Sequence, residues 1–111
     1  MELTTSSLEE CDDHPDCPVS KTLKIIGGKW TMMILHQLFG GPRRFGELQK
    51  ALSTISPKTL TVRLQELEHE GIIARRVYDQ VPLKVEYSLT KKGKSLREIF
   101  DKISEWGDKF S

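Results

Sequence analysis

The sequence predicts a mainly α-helical fold with one small β-hairpin, and three observations carry that expectation. Apolar residues recur at helical spacing over residues 19–70 and again from residue 96 to the end. Between these stretches, IIARRVYD (72–79) and VEYSLT (85–90) are rich in β-branched and aromatic residues, and the second alternates with period two. The chain has 111 residues, which suffices for one domain with a modest core but not for two.

Charge divides the chain unevenly. The net charge is only +1, yet residues 1–18 hold six acids and no Lys or Arg, so the remainder carries 17 bases against 10 acids. Residues 1–18 are accordingly expected to form an acidic, flexible arm, and residues 19–111 the folded domain. A body of net charge +7 suits a polyanionic partner better than a membrane. No stretch approaches the roughly 20 apolar residues of a membrane span, and the start lacks the basic-then-apolar pattern of a signal peptide. Two cysteines are too few for a disulfide-built secreted fold. The expected compartment is the cytoplasm.

In chain order, Val19, Leu23 and Ile26 mark a first helix, which Gly27-Gly28 interrupts. KWTMMILHQLF forms a second, with Trp30, Met33, Ile34 and Leu38 as its expected buried stripe and Gly40-Gly41-Pro42 as its stop. RRFGELQKAL places Phe45, Leu48 and Leu52 at i, i+3 and i+7, a short third helix. After Ser53-Thr54-Ile55, Ser56 is a good N-cap and Pro57 suits the first helical position. Leu60, Leu64 and Leu67 then point inward, and Gly71 closes the fourth helix. The two strands flank QVPLK, a turn containing Pro82, with Val85, Tyr87 and Leu89 on one face. Thr90 can cap a last helix that keeps its apolar period to Phe110. Two short helices three residues apart, followed by a hairpin, make a winged helix-turn-helix whose fourth helix is offered to the major groove of DNA.

That fourth helix has an unusual charge order. Residues Ser56 to Leu64 include Lys58 and Arg63 but no acid, while Glu66, Glu68 and Glu70 crowd the far end. The helix dipole favours the reverse, so a basic first half makes sense if phosphates are its counter-charge. With Leu60 at the centre of the buried face, the outward arc holds Lys58, Thr61, Val62 and Gln65, flanked by Thr59 and Arg63. Gln can pair with adenine, Lys with guanine acceptors, and Thr or Val methyls with the thymine methyl. Ser56, Thr59 and the amides of the first turn suit a phosphate. Lys84 near the hairpin tip, Arg75 and Arg76 at its base, and Arg43 and Arg44 ahead of the third helix are further candidates for backbone phosphates. The bland reading of each is a solvated face, or a strand edge protected by charge.

A core this small cannot cover every large apolar residue of the first and last helices. Leu23, Ile26, Leu96, Ile99, Phe100, Ile103, Trp106 and Phe110 are therefore expected to pack against a second copy. A two-fold dimer would set its reading helices ~34 Å apart, matching a palindromic site. Cys11, His14 and Cys17 form a possible zinc pattern, but three ligands without a fourth are weak, and no metal or other cofactor is assigned. Cys17, at a helix start near Lys21, is the candidate sensor thiol for a small reactive inducer, although Asp12, Asp13 and Asp16 oppose thiolate formation.

From Cys17 onward the chain resembles the HxlR-type bacterial transcriptional regulators, relatives of the MarR winged-helix proteins. The resemblance rests on CPVSKTLKIIGGKW, RRFGELQKAL, ISPKTLTVRLQELEHEGII, the Val81-Pro82 turn, VEYSLTKKG and the terminal SEWGD. It implies a homodimeric regulator of double-stranded DNA, often responsive to reactive small molecules through a cysteine at the position of Cys17. Some members join that cysteine to another in the body of the partner subunit. No cysteine follows Cys17 here, so Cys11 or a low-molecular-weight thiol would have to replace it. The expectation is a transcription regulator, a repressor by preference, with no enzymatic activity. The alternative is a winged-helix module that binds protein without binding DNA. A thiol redox enzyme is disfavoured, because Cys11 and Cys17 lie outside any βαβ pattern.

Overall fold

The computed structural model describes residues 17–111, so Cys11, His14 and most of the arm expected over residues 1–18 lie outside the described residues. Pro18 already belongs to the first helix, because its fixed φ suits the opening position. The elements run α1 (Pro18–Ile26), α2 (Lys29–Leu38), β1 (Arg43–Arg44), α3 (Phe45–Ala51), α4 (Pro57–His69), β2 (Ile73–Tyr78), β3 (Lys84–Leu89), α5 (Lys91–Lys94) and α6 (Arg97–Phe110). This is a mainly helical, winged-helix architecture with a three-stranded antiparallel sheet ordered β1-β3-β2. Helices α3 and α4 form the helix-turn-helix, and the β2–β3 hairpin forms the wing. No helix among the described residues is long and apolar enough to cross a membrane.

The core lies where α2, α3, α4 and the start of β2 converge. Ile34, Leu35, Leu48, Leu60, Leu64, Leu67, Ile72 and Ile73 are fully buried, each contributing about 1.5–3 kcal/mol of apolar burial. The leucine stripe of α4 falls where its spacing predicts. Helix α2 instead turns Thr31, Ile34, Leu35 and Leu38 inward, leaving Trp30 half-buried and Met33 exposed. Its sequence offers two overlapping apolar stripes. The one that wins faces α3, α4 and β3 together, a choice made by the packing of partners distant in sequence.

Two further differences concern the sheet and the last helix. Strand β1 is absent from the sequence expectation because two residues carry no alternation; Arg43 pairs with Tyr87 and Arg44 with Glu86. Thr90 does act as a cap, but of the single turn α5. Its Oγ1 accepts from the Gly93 N–H at 3.1 Å and donates toward the carbonyls of Gly71 (2.6 Å) and Ile72 (3.0 Å). Gly93 permits this close seat, since a Cβ there would lie 2.2 Å from the Ile72 carbonyl oxygen. The chain bends at Ser95–Leu96 before α6 begins, so the expected last helix is two helices.

Two residues expected to face a second copy belong to this chain's own core. Ile26 and Phe100 are 4 % and 8 % exposed, and Leu96 is half-buried against the same cluster. The Phe100 ring lies 5.1 Å from that of Phe39, tying the first turn of α6 to the end of α2. Ile26 and Phe100 anchor the terminal helices and have little area left to offer a partner. Leu23, Ile99, Ile103, Trp106 and Phe110 remain open, at 42–63 % exposure.

Candidate nucleic-acid interface

Helix α4 is held by a two-hydroxyl cap. The Ser56 Oγ accepts from the Thr59 N–H at 3.1 Å and donates to the Thr59 Oγ1 at 2.9 Å, which leaves the Thr59 hydroxyl proton to be given elsewhere. Of the first-turn amides, Pro57 has none, that of Thr59 is taken by the cap, and that of Leu60 bonds the Ser56 carbonyl. The Lys58 amide is therefore the one turned out of the helix start. An anion here meets one amide, one hydroxyl and the Lys58 ammonium, a smaller donor set than a bare helix start presents.

Lys58, Thr61, Val62 and Gln65 are exposed on the side opposite the leucines, with Thr59 and Arg63 half-buried beside them. The Thr61 hydroxyl donates to the Pro57 carbonyl at 2.8 Å, so its methyl and one lone pair face outward. Arg63 is paired with Glu66 one turn on. Of the two bases in the first half of α4, Lys58 alone has no ion pair among the described residues.

The wing holds an aromatic and charged cluster on the outer face of the sheet. Register sets Arg44, Glu86 and Arg76 in one row and Tyr78 with Lys84 in the next. The Tyr78 hydroxyl donates to Glu86 at 2.9 Å, and Lys84 pairs with the same carboxylate at 3.4 Å. Lys84 and Arg76 both lie over the Tyr78 ring, at 4.6 and 4.8 Å from its centre. The Tyr78 hydroxyl holds the Glu86 carboxyl below its ordinary range; desolvation opposes it, and Lys84 and then Arg44 add smaller lowering contributions. Lys84, expected near the hairpin tip as a phosphate contact, is thus oriented by its partners on the sheet. Its partners Tyr78 and Glu86 escape a reading that looks for bases alone; their cross-strand register with Lys84 and Arg76 is the signal that would have found them.

The remaining arginines separate. Arg75 shares the other face of the sheet with Tyr87 and Arg43 and is exposed. Arg43 bends back, donating to the Pro42 carbonyl at 3.2 Å, whereas Arg44 and Arg76 keep exposed positions beside Glu86. At the wing tip, Val81 is fully exposed and Leu83 largely so, an apolar end not foreseen from the charges. Cys17 lies at the N-cap of α1, is 5 % exposed and is disulfide-bonded, and its carbonyl accepts from the Lys21 N–H at 2.9 Å.

Known proteins share this fold. An HTH-type transcriptional regulator of Bacillus subtilis, YdeP, is 48 % identical over 99 residues, spanning 89 % of this chain and 77 % of its own. The redox regulator HypR in its oxidised form superposes with a TM-score of 0.81 at 44 % identity, covering 86 % of this chain and 98 % of that one. The reduced transcriptional regulator YodB of B. subtilis gives a TM-score of 0.75 at 39 % identity, covering 85 % and 93 %, and YodB is also known diamide-treated and quinone-bound. The family model for the HxlR-like helix-turn-helix matches residues 25–111. With that match spanning most of its length, the chain belongs to the HxlR-like helix-turn-helix family of transcriptional regulators.

Proposed function

We propose that this chain is a homodimeric repressor that binds a palindromic site in double-stranded DNA, one α4 per half-site in the major groove. The outer side of α4 supports this best: Lys58, Thr61, Val62 and Gln65 project into solvent from a helix whose other side is fully buried. In this reading Lys58 and Gln65 contact base edges, with Thr61 and Val62 against thymine methyls. Thr59, its hydroxyl freed by the Ser56 cap, and Arg63 hold phosphates beside α4, and Lys84, Arg75, Arg76, Arg43 and Arg44 do so along the sheet. Two protomers join through Leu23, Ile99, Ile103, Trp106 and Phe110, braced from within by Ile26, Leu96 and Phe100. The protein acts in the cytoplasm, needs no cofactor and catalyses no reaction.

Fluorescence anisotropy on DNA flanking the coding region tests the reading. A dimer touching about 6–10 phosphates loses about 10³–10⁵ in affinity between about 50 and 200 mM salt. Lys58→Ala and Gln65→Ala relax base preference, whereas Lys84→Ala weakens all sites alike. Absence of DNA retention, together with a salt-insensitive protein partner, would replace this reading with a protein-binding winged module.

Cys17 is the proposed sensor in the same molecule. HypR is a redox regulator, and YodB is known with diamide and with quinone, while Cys17 sits in a disulfide at the start of α1. Two thiols yield two protons and two electrons to an oxidant such as diamide and form one S–S bond. Forming it at the first residue before α1 alters how that helix seats in the dimer. Should Cys17→Ser leave the diamide response of DNA binding unchanged, the sensor role is lost.

A further inference from the structure

A cavity of about 680 Å³ opens behind the sheet, between the end of α2, the turn into β1, strand β3 and the α5–α6 junction. The DNA reading makes no use of it. Leu38, Phe39, Pro42 and Leu89 line it with apolar surface, and Lys94 and Arg97 supply its charge, with no acid among the described lining residues. Neither base forms an ion pair among the described residues. Arg97 rests on the Phe39 ring, 5.4 Å from its centre, and donates to the Phe39 carbonyl at 3.3 Å. One donor is thereby spent on fixing the guanidinium, and the others remain for a ligand. The volume falls within the roughly 300–1,000 Å³ of small-molecule sites.

We propose that this cavity binds a small aromatic acid of one or two rings, its rings on the apolar floor and its anionic group between Arg97 and Lys94. A neutral ligand would leave both charges uncompensated, and an aliphatic dianion would waste the floor. The site deepens the regulator reading, because its walls join the α2–β1 turn and the sheet to the first turn of α6. At ~100° per residue, Arg97 lies about 150° around α6 from the Ile99–Ile103–Trp106–Phe110 side, so a dimer built on that side leaves the cavity open. A bound acid would pin the start of α6 to the sheet and bias the angle between the paired helices and the wing.

The test titrates the whole protein, without DNA, with 2-naphthoate and its neutral counterpart 2-naphthamide, following backbone amide resonances by NMR. Saturable shifts are expected at Phe39, Gly41, Ser88, Leu89, Lys94 and Arg97, with the amide weaker by about tenfold or more. Lys94→Gln, an exposed change, should weaken 2-naphthoate about tenfold with the spectrum of the unliganded protein otherwise preserved. Arg97→Lys, which keeps the charge and loses the fork, should retain part of the affinity. No saturable shift, equal binding of the amide, or shifts centred instead on the cavity lined by Lys24, Arg63 and His69 would overturn the proposal. Since no DNA is present, such a failure leaves the DNA reading standing, and failure to bind DNA would not disturb a positive titration.

Discussion

Tyr78 governs the electrostatics of the wing at the scale of single residues. Its hydroxyl is the largest influence holding the Glu86 carboxyl below the ordinary value of 4.5. A carboxyl depressed in the folded state adds stability above its unfolded pKa, and that contribution disappears as the pH falls through the folded pKa. Tyr78→Phe should therefore raise the Glu86 pKa toward 4.5, read by carboxyl-carbon NMR. The variant should also lose less stability than the parent on acidification from about pH 6 to about pH 3. An unmoved Glu86 titration would refute the hydroxyl's role. The same carboxylate offsets Lys84 and Arg44, the bases proposed above to meet phosphates. Glu86→Gln should consequently tighten binding to every DNA sequence and steepen the salt slope by about one, with Lys84→Ala doing the opposite. Identical slopes for the three proteins would remove Lys84 from the interface.

Elements are decided by short-range caps where the chain is regular and by distant packing where it is not. Ser56→Ala removes the hydroxyl that accepts from Thr59, a loss of about 1 kcal/mol. For a domain of this size that corresponds to roughly 4–8 °C in Tm. Gly93→Ala should cost more, because the new methyl must displace the Ile72 carbonyl at 2.2 Å or push α5 off the α4–β2 connection. Thermal unfolding followed by circular dichroism ranks the two, and a Gly93→Ala protein as stable as the parent would contradict the close seat of α5. The contrast explains what was legible beforehand. The Ser56-Pro57 start, the leucines of α4 and the two long strands are written in local spacing and cap chemistry, and they stand where expected. Strand β1 exists only because β3 lies beside Arg43-Arg44, and α5 parts from α6 because Gly93 meets a backbone twenty-one residues earlier in the chain, at Ile72. The outward residues of α4 were legible for the same local reason, whereas the Arg63–Glu66 pair and the Tyr78–Glu86–Lys84 cluster required side-chain positions.

At the scale of the whole molecule, the question is what covers the outer side of α6. Ile26 and Phe100 show that sequence period alone does not separate an internal anchor from an interface residue, since both share the apolar period yet one end of each terminal helix is buried in its own protomer. Past that anchor, Ile99, Ile103, Trp106 and Phe110 lie on one side of α6, and Trp106 and Phe110 stack with ring centres 5.4 Å apart. An open apolar row of this length favours burial against an identical row, and a two-fold axis lets α6 meet α6 while both α4 helices face the same way. Ile103→Glu places a charge in the middle of that row at a position that is already 47 % exposed in the protomer. The folded protomer should tolerate it, with helical content and the α4 cap intact, whereas the dimer should not. Sedimentation velocity should then report a species of about half the parent mass, and affinity for a palindrome should fall toward that for an isolated half-site. Parent and variant sedimenting alike as monomers would leave α6 without a partner of its own kind, and a dimer that survives Ile103→Glu would move the two-fold axis to another surface.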